Sequence, residues 1–212
     1  MTNDARHRMP SNLLASPALR GEIRRYAAGE PVLNEGDRCD ALYVLVSGQL
    51  TVFTEGPKQR ELIYNVLEPG EFFGEMSLDG EARSASVRAA IDSECIVIKN
   101  ERVRALLREE PAFAEALVMK LIGRLRQATG SIRSLALEGV YERTIRLLED
   151  TAVAEGDVFR IPPRLTQTEI ASRIGATREM VNHVMRDLVR GGFIAKLGNR
   201  RMTIVKALPR RW

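Results

Sequence analysis

Between Pro31 and Lys99 the chain is interrupted at short intervals by glycine-containing turn signals, and after Asn100 that punctuation stops. This change of texture constrains the fold more than any other feature of the sequence. The signals are Glu35-Gly36-Asp37, Ser47-Gly48, Gly56-Pro57, Pro69-Gly70, Gly74 and Asp79-Gly80, and the runs between them are rich in Val, Ile, Leu, Tyr and Phe. Such spacing predicts short antiparallel strands closed into a roll or sandwich. Leu42 to Val46 is apolar on both faces and is expected at the centre of the sheet, whereas Gln49 to Phe53 alternates in the manner of a half-buried strand.

From Asn100 onward charged and apolar residues recur at helical spacing, and Pro111 suits the first turn of a new helix. Val118, Leu121, Leu125, Ala128, Ile132 and Leu135 then follow alternating steps of three and four, the a/d pattern of a coiled-coil seam. A helix packed only against its own domain would carry a wider apolar stripe. Arg124, Arg126, Gln127 and Arg133 keep the flanks polar, which favours a dimer seam over that alternative. Gly139 breaks the helical pattern, so a hinge is expected over residues 137–139, followed by a separate amphipathic helix from Val140 to Thr151. Gly156-Asp157 and Ile161-Pro162-Pro163 mark turns leading into the last unit.

That unit, residues 165–188, reads as a helix-turn-helix. Thr166-Gln167-Thr168-Glu169 has the form of a capping box, with Ile170, Ala171 and Ile174 on the inner face and Gly175 at the turn. A second helix opens near Thr177 and turns Val181, Val184, Met185 and Leu188 inward, leaving Arg178, Glu179, Asn182, His183 and Arg186 outside. These hydrogen-bonding groups are of the kind that read base edges. Lys196-Leu197-Gly198-Asn199-Arg200-Arg201, flanked by Phe193 to Ala195 and Met202 to Val205, resembles a basic hairpin, a wing whose Lys196, Arg200 and Arg201 suit phosphates. The alternative is a solvated charged helix and loop with no partner.

Charge placement agrees with a polyanionic partner for the C-terminal third. Of the 32 Lys and Arg and 28 Asp and Glu in the 212 residues, residues 141–212 hold 14 and 8, whereas residues 1–140 hold 18 and 20. No apolar stretch approaches the roughly 20 residues of a membrane span, and Met1 to Pro10 is not followed by an apolar run of signal-peptide length. The expected location is cytoplasmic. Cys39 and Cys95 are isolated and read as buried small hydrophobes, His7 sits in a polar lead, and no metal-ligand spacing is present. No nucleophile motif and no Walker loop occurs, so an enzyme is not expected. Arg210-Arg211-Trp212 reads as an uninformative end.

Phe73-Gly74-Glu75-Met76-Ser77-Leu78, followed by Arg83-Ser84-Ala85, carries further chemistry. Gly74 lets a ligand approach the backbone, Arg83 offers a charge-assisted fork to phosphate oxygens, Ser84 adds a hydroxyl or amide, and Glu75 can accept from sugar hydroxyls. A surface ion pair between Glu75 and Arg83 is the simpler alternative.

Gly74-Glu75 with Arg83-Ser84-Ala85, placed after a glycine-punctuated roll and before a long helix and a helix-turn-helix, resembles the bacterial cyclic AMP receptor protein family of the Crp-Fnr superfamily. The likeness runs over roughly residues 20–206. It implies an α+β chain with an N-terminal antiparallel β-roll of the cyclic-nucleotide-binding type in residues 1–110. A long dimerisation helix and hinge follow in 111–138, and a winged helix-turn-helix in 139–212. It implies a homodimeric, allosteric regulator of transcription that binds double-stranded DNA at a palindrome similar to TGTGA, with RNA polymerase as a further partner. By the same resemblance Glu75 is the ribose-hydroxyl acceptor, Arg83 and Ser84 the cyclic-phosphate ligands, and Arg124 a long-helix arginine near the pocket. Ala128-Thr129 stands where cyclic AMP receptors place Thr-Ser for the base, leaving Thr129 as the polar group. The ligand implied is cyclic AMP, with cyclic di-GMP or no ligand as alternatives within the superfamily. In the recognition helix Arg178 and Glu179 match the base-reading pair, and His183 falls where a second arginine is frequent. Histidine has fewer donors than arginine, so looser readout is expected at that base pair.

Overall fold

The computed structural model describes residues 21–38, 40–57, 60–156, 158–197 and 201–209. The sequence features at Met1 to Pro10 with His7, at Cys39, at Asp157, at Gly198-Asn199-Arg200 and at Arg210-Arg211-Trp212 lie outside them. The chain divides into two compact units, with the division between Gln127 and Ala128.

In the N-terminal unit six strands are found among the described residues: β1 (Glu22–Tyr26), β2 (Pro31–Leu33), β3 (Ala41–Gly56), β4 (Arg60–Leu67), β5 (Phe72–Phe73) and β6 (Ser86–Lys99). Their order is β1-β6-β3-β4, with β2 also on β6 and β5 also on β3, and every pairing is antiparallel. Successive β3 side chains go to opposite faces. Tyr43 and Leu45 join Leu50, Leu67, Phe73, Val87 and Cys95 on one side, while Leu42 and Val44 meet Phe72, Ile98, Val103, Leu106, Phe113 and Leu117 on the other. Covering both faces is what requires the unbroken apolar run, which extends to Leu45; Val46 is exposed. Cys95 is buried within the roll, where loss of solvation, aided by Glu94, leaves its thiol pushed up to about 12.

Two expectations for this unit are corrected. Ser47-Gly48 is no turn, because β3 runs 16 residues through it. Gly48 has φ 92° and the pairing with β6 shifts register there, so the signal marks a bulge at which a Cβ would strike Ser93 and the Asp92 carbonyl. Nor is Gln49 to Phe53 half-exposed. Gln49, Leu50, Thr51 and Phe53 are all buried because β4 and β6 flank the strand. The buried amide of Gln49 has a partner, donating from Nε2 to Glu68 Oε1 at 2.5 Å.

Helices α1 (Asn100–Glu109) and α2 (Pro111–Leu137) follow, and the first three turns of α2 bury Phe113, Leu117 and Lys120. Beyond them the expected seam is exposed in the single chain, with Leu125 at 69% and Ile132 at 68%. The helical hydrogen-bonding pattern stops at Glu138-Gly139, and α3 (Val140–Thr151) begins anew.

The C-terminal unit continues through β7 (Val153–Glu155), β8 (Val158–Ile161), α4 (Gln167–Ile174), α5 (Arg178–Arg190), β9 (Ile194–Leu197) and β10 (Arg201–Ile204). The strands form one antiparallel sheet in the order β7-β8-β10-β9. Where β7 and β8 pair, the sequence predicts only turns. These strands are three and four residues long and largely exposed, too short for alternation to be legible. Ile145, Leu148, Ile161, Ile170, Ile174, Val181, Met185, Leu188 and Ile204 form the core. No helix among the described residues is long and apolar enough to cross a membrane.

Candidate functional site

β5 ends at Phe73, and the chain must then change direction within one residue. Gly74 does so with φ 85°, a conformation that a Cβ disfavours, and a tight 3-10 turn over Glu75–Asp79 follows, closed by Gly80 at φ 88°. A side chain at position 74 would also bring its Cβ to 2.8 Å from Arg83 Nη1 and 3.1 Å from the Ala41 carbonyl. The turn is anchored from within: Ser77 Oγ donates to Gly74 O at 2.9 Å, and buried Asn100 donates from Nδ2 to Ser77 O and Oγ at 3.1 Å each.

Around this turn the structure gathers charge and buries it. Arg83, 5% exposed, donates from Nη1 to Gly74 O and from Nη2 to Ala41 O, each at 2.7 Å, and its guanidinium lies 5.9 Å from the centroid of the Tyr43 ring. Its Nε has no hydrogen-bond partner. Glu75, 4% exposed, forms an ion pair through Oε1 with Arg124 Nη1, while its Oε2 is buried without a partner. Arg124 also donates from Nη2 to the Phe72 carbonyl at 3.4 Å.

One helical turn earlier on α2, Lys120 is 1% exposed, with Nζ 3.3 Å from Glu71 Oε1 and 4.4 Å from the centroid of the Phe72 ring. Burial, assisted by Arg124 and opposed by Glu71 and Glu75, pulls its ammonium down to about 8. Neither Lys120 nor Glu71 features in the sequence reading. The available signal was the four-residue step from Lys120 to Arg124, which puts both cations on one face of a helix whose neighbours are apolar.

The sequence-expected residues are therefore only partly assembled. Gly74, Glu75, Arg83 and Arg124 come together, and the surface ion pair between Glu75 and Arg83 is not formed. Ser84 is exposed, its hydroxyl donating to Met76 Sδ at 3.2 Å, and Thr129 lies further along α2 in the other unit. A buried polar atom left without a partner costs about 1–3 kcal/mol. An orphaned acceptor on Glu75 and an orphaned donor on Arg83, beside a glycine that clears the backbone, fit a ligand bearing both a hydroxyl and an anionic oxygen, as a cyclic nucleotide does.

The second constellation is on α5. Thr177 caps the helix by accepting from the Met180 amide at 3.3 Å, and Thr166 caps α4 by accepting from the Glu169 amide at 3.2 Å. Gly175, at φ 64°, makes the turn between them. Val181, Val184, Met185 and Leu188 are buried, while Arg178, Glu179, Asn182, His183 and Arg186 are exposed. The carboxyl of Glu179 is held below its ordinary range by its own backbone N–H and the Thr177 hydroxyl, with Arg178 adding to the effect. Lys196 is exposed near the end of β9 and Arg201 opens β10, whose residues 201–204 pair with 197–194 as the expected hairpin. Buried Asp187 was not singled out in the sequence; Arg190 Nη2 meets its Oδ1 at 2.5 Å and His183 Nε2 lies 3.4 Å from its Oδ2.

Comparison with known proteins assigns a domain family to each region. Residues 23–110 match the cyclic nucleotide-binding domain and residues 142–208 the Crp-like helix-turn-helix domain. The chain is 32% identical over 181 residues to the cAMP-activated global transcriptional regulator Vfr of Pseudomonas aeruginosa, covering 81% of this chain and 84% of that protein. It belongs to the Crp-Fnr family of transcription regulators.

Another member, the cyclic AMP receptor protein of Thermus thermophilus, is 35% identical over 177 residues, covering 82% of this chain and 80% of that one. Among solved structures, the c-di-GMP responsive global regulator CLP of Xanthomonas campestris superposes with a TM-score of 0.82 at 25% identity, over 93% of this chain and 100% of that one. As a Crp-Fnr regulator the chain is not an enzyme. Its roll is a cyclic-nucleotide-binding domain and its helix-turn-helix a DNA-binding one.

Proposed function

We propose that the protein is a homodimeric, cytoplasmic regulator whose affinity for a palindrome similar to TGTGA is set by cyclic AMP bound in the roll, with RNA polymerase as its partner at promoters. The observation that carries the ligand half is the pair of orphaned buried atoms, Glu75 Oε2 and Arg83 Nε, beside Gly74. Glu75 is suited to a ribose hydroxyl and Arg83 to the cyclic phosphate, with Ser84 at the rim and Arg124 holding the other oxygen of Glu75. Thr129 is assigned to the base on resemblance. The exposed α2 seam supports dimerisation, since Val118, Leu121, Leu125, Ile132 and Leu135 would otherwise stand in water. On DNA, Arg178 and Glu179 are the base readers. Thr177, Asn182, His183 and Arg186 complete the face, and Lys196, Arg200 and Arg201 serve the backbone. We also divide the chain functionally into the roll to residue 110, the dimer helix and hinge at 111–138, and the DNA-binding domain from 139.

For the ligand to act, it must favour one arrangement of the dimer over another by its own differential affinity. Two relatives are described as activated by or receptive to cyclic AMP and one as responsive to cyclic di-GMP. Ala128, where cyclic AMP receptors place a polar residue, favours keeping cyclic di-GMP, or regulation without nucleotide, as the second reading. A gel-shift titration on a TGTGA palindrome is expected to tighten with cyclic AMP; unchanged affinity at saturation would refute the cyclic AMP version. Calorimetry with both nucleotides on wild type and Arg83→Ala separates the alternatives, since loss of the arginine abolishes binding of any phosphate seated there.

A further inference from the structure

We infer that His183 is a positioning residue rather than a base reader: with Nε2 turned to Asp187, its imidazole accepts a hydrogen bond from Arg186 and aims that guanidinium at a DNA phosphate. The inference rests on the DNA-binding role of α5 and deepens it. A guanidinium carries donors only, so Arg186 Nη2, 3.1 Å from His183 Nδ1, requires that nitrogen to be bare. The proton of the neutral ring then sits on Nε2, which faces Asp187 Oδ2 at 3.4 Å. Asp187 is fixed in turn: it is buried, and Arg190 grips its other oxygen.

Arg190, Asp187, His183 and Arg186 thus form a relay along one helix at three- and four-residue spacing. Nδ1 is taken up by Arg186 and Nε2 faces the buried Asp187 carboxylate, so the polar atoms of the ring are directed along their own helix rather than toward a base edge. Arg186 is exposed and has further N–H groups to offer, and as a phosphate ligand it adds affinity without sequence preference. The looser readout expected at this position then follows from the absence of a base contact, and the arginine three residues on carries the energy.

The full-length protein is tested on duplexes that the wild type selects from a random pool. His183→Leu and Arg186→Ala should each weaken binding roughly fivefold and lower the salt slope by up to about one unit, without changing preference at any base pair. The double variant should bind no more weakly than Arg186→Ala. His183→Gln, whose amide can accept from Arg186 and donate to Asp187, should recover most of the loss. Additive losses, or relaxed preference at one base pair in His183→Leu alone, would overturn the inference. Nitrogen NMR of the imidazole in DNA-free protein gives an independent reading: protonated Nε2 with bare Nδ1 is expected, and protonated Nδ1 would overturn it. Selection of no duplex by the wild type would instead refute the proposed function, and the imidazole measurement would still decide the relay.

Discussion

The turn around Gly74 and the exposed face of α5 use charge in opposite ways. At that turn Glu75, Arg83, Lys120 and Glu71 are all less than a tenth exposed; Lys120 pairs with Glu71, Glu75 with Arg124, and Arg83 with backbone carbonyls, leaving single atoms of Glu75 and Arg83 over. On α5, Arg178, Glu179, Asn182, His183 and Arg186 are exposed, and the helix is held by residues beneath them. On the proposed function, the first arrangement makes recognition depend on the integrity of the fold, since the ligand would complete a buried network. The second allows the residues proposed to read DNA to be changed with little effect on stability.

The largest effect that would test this contrast is expected from Gly74→Val. A branched side chain at φ 85° with a Cβ 2.8 Å from Arg83 should cost about 3 kcal/mol of stability and abolish nucleotide binding, seen by thermal melting and calorimetry. Retention of both would mean that the turn is not the constrained element described. Arg178→Ala should do the reverse, losing about 2 kcal/mol of DNA affinity with an unchanged melting temperature. A drop in melting temperature would erase the distinction between the regions.

A third comparison concerns protons. The ammonium of Lys120 is pulled down from 10.5 to about 8 in the folded chain, so the unfolded chain binds the extra proton between those values. Stability should therefore rise with pH across that window, by on the order of 1–2 kcal/mol relative to Lys120→Met, as measured by urea unfolding at pH 7.5 and 10. A constant difference between the two proteins would show that the lysine is not effectively buried. The smallest effect is expected at the start of α5, where Thr177→Ala should cost about 1 kcal/mol through loss of the cap, with a modest fall in DNA affinity.

The two regions also differed in how much of them could be read in advance. The face of α5 was legible because helical periodicity sorts residues into inside and outside, and a capping threonine and turn glycine fix where the helix starts. Periodicity does not say which neighbours a side chain bonds, so the role of Asp187 beneath His183 was invisible. In the roll, the types of Gly74, Glu75 and Arg83 admitted a ligand site beside a surface ion pair, and only the resemblance to the Crp-Fnr family decided between them. The burial of all three, the pairing of Glu75 with Arg124 and the place of Lys120 depend on how α2 lies against β5, a tertiary relation with no local signature. Ser47-Gly48 misled for the same reason, since a glycine with positive φ serves a bulge as well as a turn, and only the partner strand decides which.

Cys95 is a consequence of the roll's closure that can be put to use. Deep among Leu45, Tyr43 and Val97, with its thiol pushed up to about 12, it is shielded from alkylating reagents for as long as the strands stay paired. In a Cys39→Ser background, the rate at which this thiol is trapped would serve as a clock for the opening of the ligand domain. Slowing of that clock by nucleotide would register binding without DNA.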